Sequence, residues 1–244
     1  MNKTNRKIFV FIINLILFIS AGYITAQEKN AAQTPQDTLR YKKNPIYERQ
    51  MEMFELYKTR QADIVMLGNS LTAGADWGEL LGRSNVATRG ITSDILEGFN
   101  ARLNTVFKLK PKIVFIMGGL NDIYAWIPIE QIYKEYIQIL TGLKVRGIIP
   151  VIELTTYAAK NYAKEWGGTP QVNAGRNREV DKLNKLLVDY AQQNNIEVIN
   201  LLPSIVGRDG YLKPELTWDG VHFNAAAYKI WAREVENILR KHKM

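Results

Sequence analysis

Histidine occurs only twice in this chain of 244 residues, at His222 and His242, and cysteine does not occur at all. Any chemistry that needs an imidazole therefore rests on one of two positions. Thiol nucleophiles, disulfide frameworks and thiolate metal sites are excluded together, and the same count excludes a zinc site built from several histidines. His242 lies in a basic tail, Arg240-Lys241-His242-Lys243-Met244. His222 closes the run Asp219-Gly220-Val221-His222. A carboxylate three residues before an imidazole can accept from one ring nitrogen and leave the other free to take a proton. The competing reading is a helix cap beside an incidental histidine, and the scarcity of histidine here weighs against it.

Such a base needs a nucleophile and a site for developing negative charge. Ser70, in Gly68-Asn69-Ser70-Leu71-Thr72, directly follows an apolar run at a glycine-bearing turn. Alone, a serine after a strand is more often a helix cap or turn residue than a nucleophile. It does not fit the Gly-x-Ser-x-Gly elbow of the α/β-hydrolases, because position 72 is threonine. Donors for an oxyanion are available in two further runs. Asn121, in Gly119-Leu120-Asn121-Asp122, offers a side-chain amide, and Arg89-Gly90-Ile91 offers the backbone N–H of Gly90. Each run alone also reads as ordinary turn chemistry. The combination is what points to acyl transfer.

The elements that must position these groups alternate along the chain. Pro45 to Gln61 has apolar residues at helical spacing. Short apolar runs at Asp63–Leu67, Val86–Thr88, Ile113–Met117, Ile148–Leu154 and Glu197–Leu201 read as strands. Between them lie helical patterns over Asp94–Lys110 (capped by Ser93 or Asp94), Ile129–Arg146 and Arg176–Asn194. A last helix is expected from about Asn224 to His242. This alternation predicts an α/β fold with a mostly parallel sheet covered on both faces. In such a sheet ligands bind at the carboxyl ends of the strands, where all the runs named above fall.

The length suits one α/β domain with a well-buried core. Residues 1–26 read as an export signal: Lys3, Arg6 and Lys7 precede an apolar run from Ile8 to Ile19, and Ala26 offers a small residue for cleavage. An uncleaved anchor is the alternative. Residues 27–44 are polar and read as a linker, leaving 45–244 as the domain. The expected location is periplasmic or extracellular, with no membrane contact after cleavage. The net charge of +8 is spread among acids rather than gathered on one element, so no nucleic-acid partner is expected.

The ordered set resembles the SGNH (GDSL-type) hydrolase family, in its acetylhydrolase-like branch, over about Asp63 to Leu239. That resemblance implies a three-layer, flavodoxin-like α/β/α fold and a serine esterase without cofactor or metal. It implies Ser70 as nucleophile, with Asp219 and His222 completing a triad. Ser70 and Gly90 become backbone oxyanion donors, and Asn121 the side-chain donor. One departure is Asn69, where the family usually has an aspartate that supports the turn. Asn69, Tyr124, Trp126, Tyr157 and Trp218 are candidate substrate contacts, and Tyr162 and Trp166 lie in the same aromatic-rich loop as Tyr157. Rim aromatics stack on sugars or serve as packing, and the sequence leaves both open. The expected substrate is a short-chain ester, an acetyl group on carbohydrate or sialic acid. Lysophospholipase or thioesterase action on longer chains, and a silent glycan-binding module, are the alternatives.

Overall fold

The computed structural model describes residues 39–164 and 167–244. The expected signal and most of the expected linker, together with Trp166, lie outside the described residues.

The chain from Tyr41 onward builds five strands and ten α-helices among the described residues. In chain order these are α1 (Tyr47–Leu56), β1 (Ile64–Gly68), α2 (Ser70–Ala73), α3 (Trp77–Leu81), β2 (Val86–Gly90), α4 (Leu96–Ala101) and α5 (Leu103–Phe107). There follow β3 (Ile113–Met117), α6 (Leu120–Tyr124), α7 (Ile129–Lys144), β4 (Ile149–Glu153), α8 (Pro170–Asn194), β5 (Glu197–Ile199), α9 (Leu202–Ile205) and α10 (Ala225–Lys241). The strands form one parallel sheet in the order β2-β1-β3-β4-β5. β1 and β3 are buried at all five positions, as their unbroken apolar runs require of a sheet covered on both faces.

The strand order reverses at β1, since the chain leaves it for β2 on one side and returns to β3 on the other. The crevice at such a reversal lies outside the carboxyl ends of the strands. Ser70, the turn after β2 and Asn121 all stand there, at the ends of β1, β2 and β3.

Four differences from the sequence pattern have physical causes. The expected helix Asp94–Lys110 is broken into α4 and α5 at Arg102, whose backbone (φ −109, ψ 11) leaves the helical region. The side chain of Arg102 is drawn under the strand ends, as described below. α8 starts six residues earlier than Arg176, because Thr169 caps it by accepting from the Val172 N–H and Pro170 suits the first turn. α2 and α3 are too short for periodicity to reveal. Finally, Tyr41 already belongs to the domain: its N–H donates to Glu97 at 3.1 Å and its ring packs on Tyr47 at 4.6 Å. At the other end of the four residues assigned by polarity to the linker, the Asn44 amide donates to the Thr92 carbonyl at 2.8 Å.

An aromatic wedge joins the end of the chain to its middle. Trp231 of α10 meets Trp77 edge-on at 4.7 Å, and Phe223 packs against both Tyr228 and Trp231. The ring N–H of Trp231 donates to Glu153 Oε1 at 2.6 Å at the end of β4. Burial raises the Glu153 carboxyl to a pKa of about 8, against the smaller opposing effect of the Trp231 bond. The folded protein thus holds this proton where the unfolded chain has released it. The associated stability is complete below the ordinary glutamate range and is lost as pH rises toward 8. Glu153→Gln, which keeps an acceptor for Trp231 but cannot ionise, should flatten the fall in melting temperature between pH 5 and 8. Parallel slopes for the two proteins in thermal melts would show that Glu153 does not carry this dependence.

Candidate active site

β1 ends at Gly68, and the chain turns at once into α2. A Cβ at Gly68 would meet Thr72 Oγ1 at 1.9 Å, so only glycine allows the helix to fold back this closely. Asn69 caps α2 by accepting the Leu71 N–H at 3.0 Å through its side-chain oxygen. The cap needs an acceptor and no charge, which accounts for asparagine at this position. Asn69 is also buried, with its side-chain oxygen engaged in the turn. Ser70 follows as the first helical residue, with its side chain on the rim.

His222 reaches Ser70 from the far end of the chain. Its Nε2 lies 2.9 Å from Ser70 Oγ, and its Nδ1 lies 2.6 Å from Asp219 Oδ2. The carboxylate accepts, so Nδ1 carries the proton and Nε2 is left to accept from the serine hydroxyl; this tautomer is assigned from the network. The other oxygen of Asp219 accepts the backbone N–H groups of Val221 and His222 at 2.9 and 2.8 Å. Burial pushes the Asp219 carboxyl up, but the His222 ring and these two N–H groups outweigh it and bring it below the usual range. Thr217 closes the loop by donating from its hydroxyl to the His222 carbonyl and accepting the Gly220 N–H. Gly220 has φ +99, and Tyr162 packs 3.0 Å from where its Cβ would be.

The wedge sets the distance between the two halves. Tyr228 donates from its hydroxyl to the Leu71 carbonyl at 2.7 Å, and Trp77 donates to the Thr72 carbonyl at 2.9 Å. Both acceptors lie in the helix that carries Ser70. Phe223, the neighbour of His222, packs into the same cluster.

Asn121 is positioned by its amide, which donates through Nδ2 to the Asp94 carbonyl at 2.8 Å. An amide nitrogen carries two hydrogens, so one remains for a ligand. Asp122 beside it accepts the Leu96 N–H. Gly119, at φ +96, makes the turn out of β3.

Gly90 is not brought to the serine in the expected way. It is the last residue of β2, and Ile91 just beyond it donates to the Gly68 carbonyl on the β1 side. Successive N–H groups of a strand point to opposite sides. The Gly90 N–H therefore faces the open edge of β2. Glycine is required there because a Cβ would meet the Ala73 nitrogen at 2.4 Å. The backbone that reaches the rim after β2 is the turn Ile91–Asp94, closed by the Asp94 N–H on the Ile91 carbonyl. Its third residue, Ser93, is exposed and left-handed at φ +60. A serine in this region is uncommon, and its signal in the sequence is masked because glycine is the residue such a turn usually displays.

The candidate substrate aromatics divide. Trp218 is 72% exposed and lies parallel to the His222 ring, 5.4 Å between centroids and 16° between planes. Trp126 is also exposed, two residues after the end of α6. Tyr124 stacks on Tyr162 at 5.4 Å beneath the Arg176 guanidinium, and Tyr157 donates its hydroxyl to Asp181. These two are engaged within the protein. A cleft of about 410 Å³ opens beside the Asp219 loop, lined by Lys160, Asn161, Tyr211, Thr217 and Trp218 among others. Among the described residues no group of three or more His, Asp or Glu could hold a metal ion.

The sheet order and the hydroxyl–imidazole–carboxylate chain define an α/β serine ester hydrolase. The profile of the GDSL-like lipase/acylhydrolase family matches residues 66–230, and the chain belongs to that family. Solved structures share its fold. A candidate acylhydrolase from Bacteroides fragilis NCTC 9343 is 23% identical with a TM-score of 0.69, covering 80% of this chain and 96% of that one. A GDSL-like lipase from Bacteroides thetaiotaomicron VPI-5482 is 20% identical with a TM-score of 0.68, covering 80% and 98%. The acetyl xylan esterase AlAXEase is 16% identical with a TM-score of 0.58, covering 72% and 98%. No curated protein matches the chain in sequence.

The turn chemistry at Asn69 is open to a direct check. Asn69→Ala should lower stability by about 0.5–2 kcal/mol, the usual cost of a lost cap, whereas Asn69→Asp should keep both the fold and turnover. Urea denaturation of the two variants measures this, and equal stability would remove the capping role.

Proposed function

We propose that this protein is an exported esterase that removes short acyl groups, acetyl above all, from carbohydrate. Ser70 attacks the ester carbonyl while His222 takes its proton, and Asp219 stabilises the imidazolium. The oxyanion is held by the N–H of Ser70, the free amide hydrogen of Asn121 and the N–H of Ser93 at the tip of its turn. No hydrogen bond among the described residues uses that Ser93 N–H. His222 then protonates the leaving alcohol, and water repeats the sequence on the acyl-enzyme.

The single observation that favours a sugar is Trp218. A largely exposed indole, held flat against the ring of the proposed base and next to a cleft lined by Lys160, Asn161 and Tyr211, offers a stacking face with polar groups at its edge. Export is supported by the basic start and apolar run of residues 1–26.

The test uses p-nitrophenyl esters from acetate to octanoate, followed by acetylated glycans. Activity should be highest on acetate and absent in Ser70→Ala and His222→Ala. Asn121→Ala should lose on the order of 10²–10³ in kcat, the usual effect of removing one oxyanion donor. Trp218→Ala should raise KM for an acetylated glycan while leaving p-nitrophenyl acetate hydrolysis unchanged. Rates that climb with chain length beyond butyrate would replace the sugar with a lipid substrate. Binding of acetylated glycan without turnover, by a protein whose Ser70 ignores a fluorophosphonate, would make it a binding module.

A further inference from the structure

We propose that Arg102 is a positioning residue for the oxyanion site, holding three rim segments in register from beneath. The proposal rests on the reading of the site given above.

Arg102 and Asp94 form an ion pair at 2.8 Å in which both side chains are fully buried. The guanidinium uses all three of its nitrogens in three directions. Nε donates to Asp94 Oδ2 at 2.8 Å, Nη1 to the Arg89 carbonyl at 2.8 Å, and Nη2 to the Gly68 carbonyl at 2.9 Å. Each acceptor lies close along the chain to a proposed reacting group. Gly68 is two residues before Ser70. Arg89 and Asp94 stand on either side of the turn that presents Ser93, so the turn hangs between two points fixed by one side chain. Asp94 also supplies, through its backbone carbonyl, the acceptor that orients the Asn121 amide. All three oxyanion donors are thus referred to a single rigid, planar group.

The geometry explains the break between α4 and α5, since a continuous helix would not leave Arg102 at this point. It also explains why the residue is arginine. An ammonium is a point donor, and it cannot meet three acceptors spread around a plane. Oxyanion donors act through fixed placement, and small displacements forfeit much of their effect.

A purely structural pair would make the same contacts, so the test separates stability from turnover. A buried ion pair replaced by apolar or neutral groups on both sides commonly costs little stability, whereas removal of one partner costs much. The double variant Asp94→Asn/Arg102→Met and the single variant Arg102→Lys are compared with the parent and with Ser70→Ala on p-nitrophenyl acetate. The double variant should melt near the parent yet lose on the order of 10²-fold in kcat, as for one misplaced oxyanion donor. KM and the acid limb of the kcat/KM–pH profile should stay where they are, because His222 and Asp219 are untouched. Arg102→Lys keeps the charge opposite Asp94 and should fold with a smaller loss of kcat; it carries the test if the double variant does not fold. Parent-like kcat in either folded variant would overturn the proposal, as would a loss of kcat that follows the fraction unfolded or moves the acid limb. A parent protein without Ser70-dependent turnover would instead overturn the reading of the site, and this proposal with it; that result is visible before any Arg102 variant is compared.

Discussion

The 2.9 Å contact between Ser70 and His222 joins positions 152 residues apart, and the local sequence at neither end holds it. Each end is rigid for its own reasons: Ser70 by the Gly68–Thr72 fold-back and the Asn69 cap, His222 by the Asp219 and Thr217 hydrogen bonds. What sets their separation is the aromatic wedge of Trp77, Phe223, Tyr228 and Trp231, with its hydrogen bonds to the Leu71 and Thr72 carbonyls. Large rings supply rigid contact area at the cost of few rotatable bonds, so four of them fix a distance better than aliphatic packing would. The wedge also explains a carboxyl buried without a cation. Burial raises the Glu153 carboxyl to a pKa of about 8, so below that pH it accepts from Trp231 without bringing a charge into the core.

The strand reversal at β1 does the remaining organisation. Because β2 and β3 flank β1, three loops emerge side by side, and each contributes one kind of group: a hydroxyl, a backbone turn and an amide. Their proximity follows from topology. Their orientation does not, and it is here that polar burial enters. The Arg102–Asp94 pair is fully enclosed, and pairs of this kind are weak sources of net stability because desolvation offsets their attraction. Arg102 donates two further hydrogen bonds to strand-end carbonyls, and Asp94 Oδ1 accepts the Ile95 N–H, so every nitrogen and oxygen of the two charged groups has a partner.

Much of this was legible in the sequence, and for identifiable reasons. The apolar runs of β1 and β3 are unbroken because both faces are covered, so they read as buried strands without ambiguity. His222 and Asp219 stood out because histidine is so scarce. The parts that could not be read depend on where a side chain goes in three dimensions. Periodicity placed one helix over Asp94–Lys110, since Arg102 carries no sign that it will be drawn beneath the strand ends. Polarity placed Tyr41 in a linker, since its ring finds Tyr47 only in the fold. A glycine after a strand suggests backbone access, but what Gly90 does in the fold is let Ala73 approach.

That last difference carries a general point about the rim. Two positions three residues apart divide the work here: Gly90 provides room for Ala73, and Ser93 provides the left-handed turn. A non-glycine residue at φ +60 is held against its preference, at a cost of about 1–3 kcal/mol, and persists only where its surroundings over-determine it. The surroundings in this case are the Asp94 N–H on the Ile91 carbonyl and the Arg102 bonds at either side of the turn. A strained turn suspended between two buried anchors has little freedom to relax when charge develops nearby. That is the property an oxyanion site requires, because donors already in place need no reorganisation as the reaction proceeds.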